Sequence, residues 1–119
     1  PQSEFVAGFM GEAMLFPAQA QADGSVALGP LRLTPRQSAP QGQVKVAVRP
    51  EAWHIHRDGT GLAATLRKSS YLGSLYEYTF DTELGSIFVV SPDLTDVLSI
   101  GTEVVLDLAD HGVSVVKSQ

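Results

Sequence analysis

The chain has 119 residues, a formal net charge of −5 and no cysteine, so thiol catalysis, thiolate metal sites and disulfides are excluded from the start. Its eight basic residues are scattered, with Arg67 and Lys68 the only adjacent pair, which argues against nucleic acid as a partner because phosphate backbones demand clustered cations.

Hydrophobic residues make up 44% and charged residues 18%, a balance that suits a globular domain and not a disordered tail. A chain of this size buries about two-thirds of its unfolded surface, enough for one core shared by a single domain or by two merged small barrels. No apolar run approaches the roughly 20 residues needed to span a bilayer. Pro1 stands where an initiator Met would, and this is read as the mark of a segment cut from a longer protein.

Residues 1–12 carry the one helical pattern. Phe5 and Phe9 are four apart, as are Val6 and Met10, which stacks two apolar pairs on one face. Ser3 and Glu4 suit a helix start and Gly11 a stop, so a short helix is expected over 1–12, docked on a neighbour because it is too short to stand alone.

From residue 13 onward the period is two. Strands are expected over 14–20 and 26–33, separated by the hairpin-type turn Ala22, Asp23, Gly24. Gly29 and Pro30 interrupt the second stretch, making it two short strands or one bulged edge strand. Residues 34–42 hold Pro35, Pro40 and Gly42 among polar side chains and read as a loop. Val44, Val46 and Val48 then alternate with Lys45, Ala47 and Arg49 in a half-buried strand that Pro50 ends.

A short extended piece over 53–57 precedes the turn at Asp58, Gly59, Thr60 and Gly61. Longer strands follow over 62–72 and 75–81, the second placing Tyr76, Tyr78 and Phe80 on one face. Residues 86–90 and 103–108 and 113–116 are further strands, while 93–98 is ambiguous between loop and helical turn. About nine short strands with Gly- or Pro-bearing turns point to an all-β barrel or sandwich. The two halves are loosely alike, each closing on a Leu–Gly hairpin at Leu28–Gly29 and Leu84–Gly85.

No residue set encodes catalysis. No Gly is followed by Lys, so the phosphate-cradling G-x-x-x-x-G-K-[ST] loop is missing, as is a Gly-x-Ser-x-Gly elbow. Asp93 with Asp96, and Asp107 with Asp110, are spaced as carboxylate pairs, but acids in turns of an acidic protein are ordinarily solvated turn and cap residues. His54 and His56 flank Ile55 and share one face of a strand, where both imidazoles can reach a zinc ion. A third ligand is required, and His111 or a carboxylate is what the sequence offers; loop histidines beside Trp53 are more often surface or hydrogen-bonded residues, so no metal site is assigned. Tyr71, Tyr76 and Tyr78 suit either stacking on a ligand or packing in a core or interface, the second agreeing better with the negative charge. Tyr76 and Tyr78 are therefore candidate interface residues. Arg49, Pro50 and Glu51 close a strand and suit either a structural role, fixing the loop after it, or a contact role.

Three segments together resemble a known family. Phe5–Val6–Ala7–Gly8–Phe9–Met10–Gly11 is similar to the Phe-Val-Ala-x-Phe-(Ile/Leu)-Gly segment that leads into the transport-associated OB (TOBE) domain, the C-terminal accessory module of importer ABC-type ATPases. Arg49, Pro50 and Glu51 match the family's Arg-Pro-Glu motif, and Leu72 and Gly73 its Leu-Gly motif. Gly11–Glu12 looks more like the polyamine and ferric-iron branches than the sugar branch, and the Asn usual near Met14 is missing. The resemblance implies an OB-like β-barrel over 13–119, with 1–12 as a linker helix from an ATPase domain that precedes it. It further implies a non-catalytic, regulatory and dimerising role in uptake of a small solute such as a polyamine or ferric iron. Implied partners are a second copy of the subunit, the transporter's membrane subunits reached through the ATPase domain, and a small-molecule effector. The location implied is cytoplasmic, at the face of the cell membrane. No cofactor is expected in this segment; ATP and magnesium belong to the ATPase domain. The alternative reading is a stand-alone small-ligand or oxyanion-binding OB-like module.

Overall fold

The structure, a computed structural model, describes residues 8–10, 13–36 and 39–117. Among these the chain is all-β, with eleven strands, one 3-10 turn and no α-helix. The strands are β1 (Gly8–Met10), β2 (Ala13–Ala20), β3 (Val26–Leu28), β4 (Leu31–Leu33), β5 (Gly42–Val48) and β6 (Trp53–His56). They continue as β7 (Leu62–Tyr71), β8 (Tyr76–Thr82), β9 (Gly85–Ser91), β10 (Glu103–Leu108) and β11 (Val113–Lys117).

Two antiparallel sheets result. The first runs β11-β5-β2-β3-β4, with β1 also on β2; the second runs β6-β10-β7-β8-β9. The period-two pattern explains which face of each strand turns inward. In β5, Val44, Val46 and Val48 are buried while Lys45 is exposed, and Val46 pairs directly with Phe16 of β2. In β7, Leu62, Ala64 and Leu66 are buried, and the alternation ends at a bulge between Leu66 and Lys68, beyond which 67–71 is exposed. Side chains from both sheets form one core, with Phe16, Leu28, Val46 and Val48 from the first against Leu62, Leu66, Phe80, Ile87 and Leu106 from the second. Each such side chain contributes about 1.5–3 kcal/mol by leaving water.

The helix expected over 1–12 is corrected. Gly8–Met10 is a strand, paired antiparallel with β2 in the register Gly8↔Leu15, Phe9↔Met14 and Met10↔Ala13. Residues 1–7 and 11–12, with the rest of that expectation, lie outside the described residues. The physical reason is length. An isolated helix of so few residues is marginal, whereas β2 offers a free flank where backbone groups find partners at once. That flank is covered by β1 at Ala13–Leu15 and by β3 at Gln19–Ala20; Pro17, which has no N–H to donate, falls between them.

Gly29 and Pro30 divide two short strands, β3 and β4, which pair as a hairpin. The ambiguous segment 93–98 is not helical. The Asp93 carboxylate instead accepts hydrogen bonds from the Thr95 N–H at 2.9 Å, the Thr95 hydroxyl at 2.6 Å and the Asp96 N–H at 3.3 Å, a side-chain turn that outcompetes a helix.

Candidate functional site

β6 is an edge strand, hydrogen-bonded on one side to β10. Its alternation buries Trp53, half-buries Ile55 and turns His54 and His56 to solvent. Directly across, Asp107 of β10 pairs with His54, with His56 next along the same face. Residues opposite one another in an antiparallel pair have Cβ atoms about 4.5–5.5 Å apart, so the register alone brings these three together. His56 Nε2–H donates to Asp107 Oδ2 at 3.0 Å, and His54 Nδ1 stands 3.6 Å from Asp107 Oδ1. One ligand atom from each of the three lies within 4.8 Å of the others. Asp107 Oδ1 is covered by protein yet accepts no hydrogen bond.

The sequence identified the two histidines and left the third partner open between His111 and a carboxylate. The structure places Asp107 there, while His111 sits exposed in the turn between β10 and β11. Asp107 was visible only as one of a turn pair with Asp110, because the pairing of β6 with β10 joins residues about fifty apart.

The Arg49–Pro50–Glu51 motif sits at the end of β5 and in the turn that follows it. Arg49 leaves β5 extended, and Pro50 opens the 3-10 turn Pro50–Ala52. The Arg49 N–H donates to the Gly112 carbonyl at 2.9 Å, and the Ala109 N–H donates to the Ala52 carbonyl at 2.8 Å. Arg49 and Ala52, the residue after the motif, are thereby bonded to the two ends of the β10–β11 turn, with Ala52 buried and Glu51 exposed. Leu72 and Gly73 occupy the β7–β8 hairpin. The Leu72 N–H donates to the Leu75 carbonyl at 2.9 Å, and Gly73 takes φ +94°, the left-handed value that the first central position of such a turn requires. Leu72 is exposed.

The tyrosines form a ladder. Tyr71 faces Tyr76 across the hairpin with ring centroids 5.2 Å apart, Tyr76 stacks on Tyr78 at 5.6 Å, and Phe80 continues the row. Of the two packing readings open for Tyr78, core or interface, the structure shows the core within this chain: it is 1% exposed, and its hydroxyl accepts a hydrogen bond from the Leu98 N–H at 3.4 Å. Tyr76 is half-buried, and Tyr71 carries the open end of the ladder. Of the remaining paired acids, Asp93 holds its own turn together. Asp96 accepts from Arg57 Nη2 at 2.7 Å, and this bond raises the Arg57 pKa above its ordinary value.

A cleft of about 680 Å³ runs between the two sheets, lined by Arg32, Arg36, Asp107, Asp110 and Val113 among others. Arg32 stands there with Nη1 3.7 Å from Asp23, both side chains exposed. Among the described residues no helix is long and apolar enough to cross a membrane.

Two packed sheets of short strands, with one exposed polar triad, define a small all-β domain of the OB-like kind. The fold is shared with the crystal structure of the cytoplasmic molybdate-binding protein ModG with molybdate bound, at a TM-score of 0.69 and 13% identity, over 87% of this chain and 95% of that one. The TOBE domain family matches residues 46–116, and the chain belongs to that family. It is 32% identical over 122 residues to the Fe(3+) ions import ATP-binding protein FbpC of Brucella abortus (strain 2308), covering 98% of this chain and 35% of that protein. The FbpC protein of Rhizobium etli is likewise 32% identical, over 99% of this chain and 35% of its own length. That of Vibrio cholerae serotype O1 is 38% identical over 66% of this chain and 24% of its own length. The chain thus spans about a third of the curated relatives it matches. The part of those ATP-binding proteins that this chain resembles is about a third of their length, and the family shown for it is that of the TOBE domain.

Proposed function

We propose that this domain regulates an ATP-binding subunit that energises uptake of ferric iron, and that it does so as one of a pair of copies. The observation that carries the reading is the end-to-end likeness to ferric-iron import ATP-binding proteins, at 32% identity over 98% of the chain. The subunit would lie at the cytoplasmic face, joined to membrane subunits through its ATPase domain. A domain whose interior is filled with side chains regulates from its surfaces, so an effector would bind at a junction between subunits or between sheets. It would act by favouring one arrangement of domains by about 1–3 kcal/mol, the usual scale of allosteric coupling.

Deleting the domain from the full-length subunit tests this reading. Uptake that continues but no longer responds to intracellular iron is the expected result. Uptake with unchanged sensitivity would leave a structural role alone.

A second reading, capture of an oxyanion, is favoured by the likeness to ModG and by Arg32 and Arg36 in the cleft. Asp107 and Asp110 line the same cleft and oppose an anion, which ranks this reading second. Calorimetry with molybdate decides it, since absence of saturable heat removes it.

A further inference from the structure

We propose that His54, His56 and Asp107 form a binding site for one first-row divalent metal ion. The proposal goes beyond the regulatory reading and stands without it. Three features of the exposed face of β6 and β10 carry it.

The first is spacing. The donor atoms already lie within 4.8 Å of one another, with His56 Nε2 at 3.0 Å and His54 Nδ1 at 3.6 Å from the two carboxylate oxygens. Metal–nitrogen and metal–oxygen bonds of about 2.0–2.2 Å set neighbouring donors in a tetrahedral shell about 3.4 Å apart. Small rotations of exposed side chains close the remaining difference, because the two imidazoles stand with centroids 6.4 Å apart and planes at 84°, not stacked against each other.

The second is the orphaned oxygen. Asp107 Oδ1 is covered by protein but accepts no hydrogen bond, since His54 Nδ1 at 3.6 Å is beyond reach. A simple ion pair with His56 accounts for Oδ2 and leaves Oδ1 unexplained. A cation held between the two imidazoles would satisfy it.

The third is the framework. Four consecutive residue pairs, from Val105↔His56 to Leu108↔Trp53, lock β6 to β10, and the buried Trp53 anchors the strand beneath. The ligands therefore project from a fixed ladder and not from a loop. Two imidazole nitrogens and one carboxylate select a borderline ion such as zinc(II), iron(II) or cobalt(II) over calcium or magnesium, which prefer all-oxygen shells. Three protein ligands leave at least one position for water or for a donor from another molecule.

The test uses the untagged 119-residue chain, titrated with zinc(II) by calorimetry and with cobalt(II) by visible absorption. One ion per chain is expected, with ligand-field bands of low coordination number for cobalt. His56→Gln and Asp107→Asn should each weaken binding about tenfold or more, the order of loss seen when metal sites are disturbed. His54→Gln should do the same, while His111→Gln should bind as the parent chain does. Circular dichroism checks that each variant keeps its β-structure, and the exposed histidine variants stand in should Asp107→Asn fail to fold. Absence of saturable binding by the parent chain, or equal binding by the His54, His56 and His111 variants, would overturn the proposal.

Discussion

Phe16 of the first sheet meets Trp53 of the second edge to face, with ring centroids 5.9 Å apart and planes at 87°. Both rings are buried, so this pair pins the two sheets across the core. Phe16→Ala should cost about 3–5 kcal/mol, and Phe16→Leu less than about 1.5 kcal/mol because most of the volume is kept. Trp53 is the single tryptophan, so urea unfolding followed by its fluorescence reads both variants. A loss below about 1 kcal/mol for the alanine variant, well outside the usual range for buried aromatics, would show that the sheets are not pinned there.

The turn before β7 separates two glycines that look alike in sequence. Gly61 has φ +148°, and a Cβ there would lie 2.6 Å from the Leu106 carbonyl oxygen and 2.7 Å from Val105 Cγ1. Gly59 has nothing within 4 Å of the corresponding position. Gly59→Ala should therefore cost about 1 kcal/mol of backbone strain, and Gly61→Ala about 3 kcal/mol or more, because backbone cannot step aside. Equal midpoints in thermal unfolding would contradict the close approach.

Two exposed aspartates give the domain a defined acid response. Hydrogen bonding by the Ser25 side chain lowers the Asp23 pKa, and hydrogen bonding by the Thr95 side chain lowers that of Asp93. A carboxyl whose folded pKa is depressed stabilises the fold above its unfolded value, and that contribution fades as pH falls through the folded one. Asp93→Ala should be less stable than the parent at neutral pH, with the gap closing as pH drops below about 3.9. Unfolding midpoints measured from pH 7 down to about 2.5 check this, and a gap that widened in acid would reverse the sign.

Most strands were legible because one face of each carries apolar residues at period two: Val44, Val46 and Val48, or Leu62, Ala64 and Leu66. The first segment was not. Phe5, Phe9, Val6 and Met10 satisfy a helical period, but the free flank of β2 decided Gly8–Met10, and a flank is a property of the assembled sheet. The site was half legible in the same way. His54 and His56 share a face by local alternation, whereas Asp107 joins them through register between distant strands. Tyr78 shows the converse limit. Its place in the row with Tyr76 and Phe80 was readable, with core and interface both open, but the partner that fixes its hydroxyl, the distant Leu98 N–H, was not.

Self-association is expected to run through the open end of the tyrosine ladder. Tyr71 and Leu72 are 59% and 57% exposed, and the Tyr71 hydroxyl is held in place by donating to the Gly73 carbonyl at 2.7 Å. A rigid, exposed aromatic beside an aliphatic side chain loses little entropy on being covered, which suits an interface anchor. Val97 and Ile100 are also exposed, at 45% and 62%, and provide the comparison. Sedimentation of the parent chain at rising concentration should show a monomer–dimer equilibrium, since paired copies in such complexes are ordinarily two-fold. Tyr71→Ser with Leu72→Ser should weaken it by about tenfold or more, at roughly 1 kcal/mol or more for each anchor removed. Val97→Ser with Ile100→Ser should leave it unchanged. If the second pair abolishes association and the first does not, the interface lies on the 92–102 loop; if the parent chain stays monomeric throughout, dimerisation belongs to the ATPase domain.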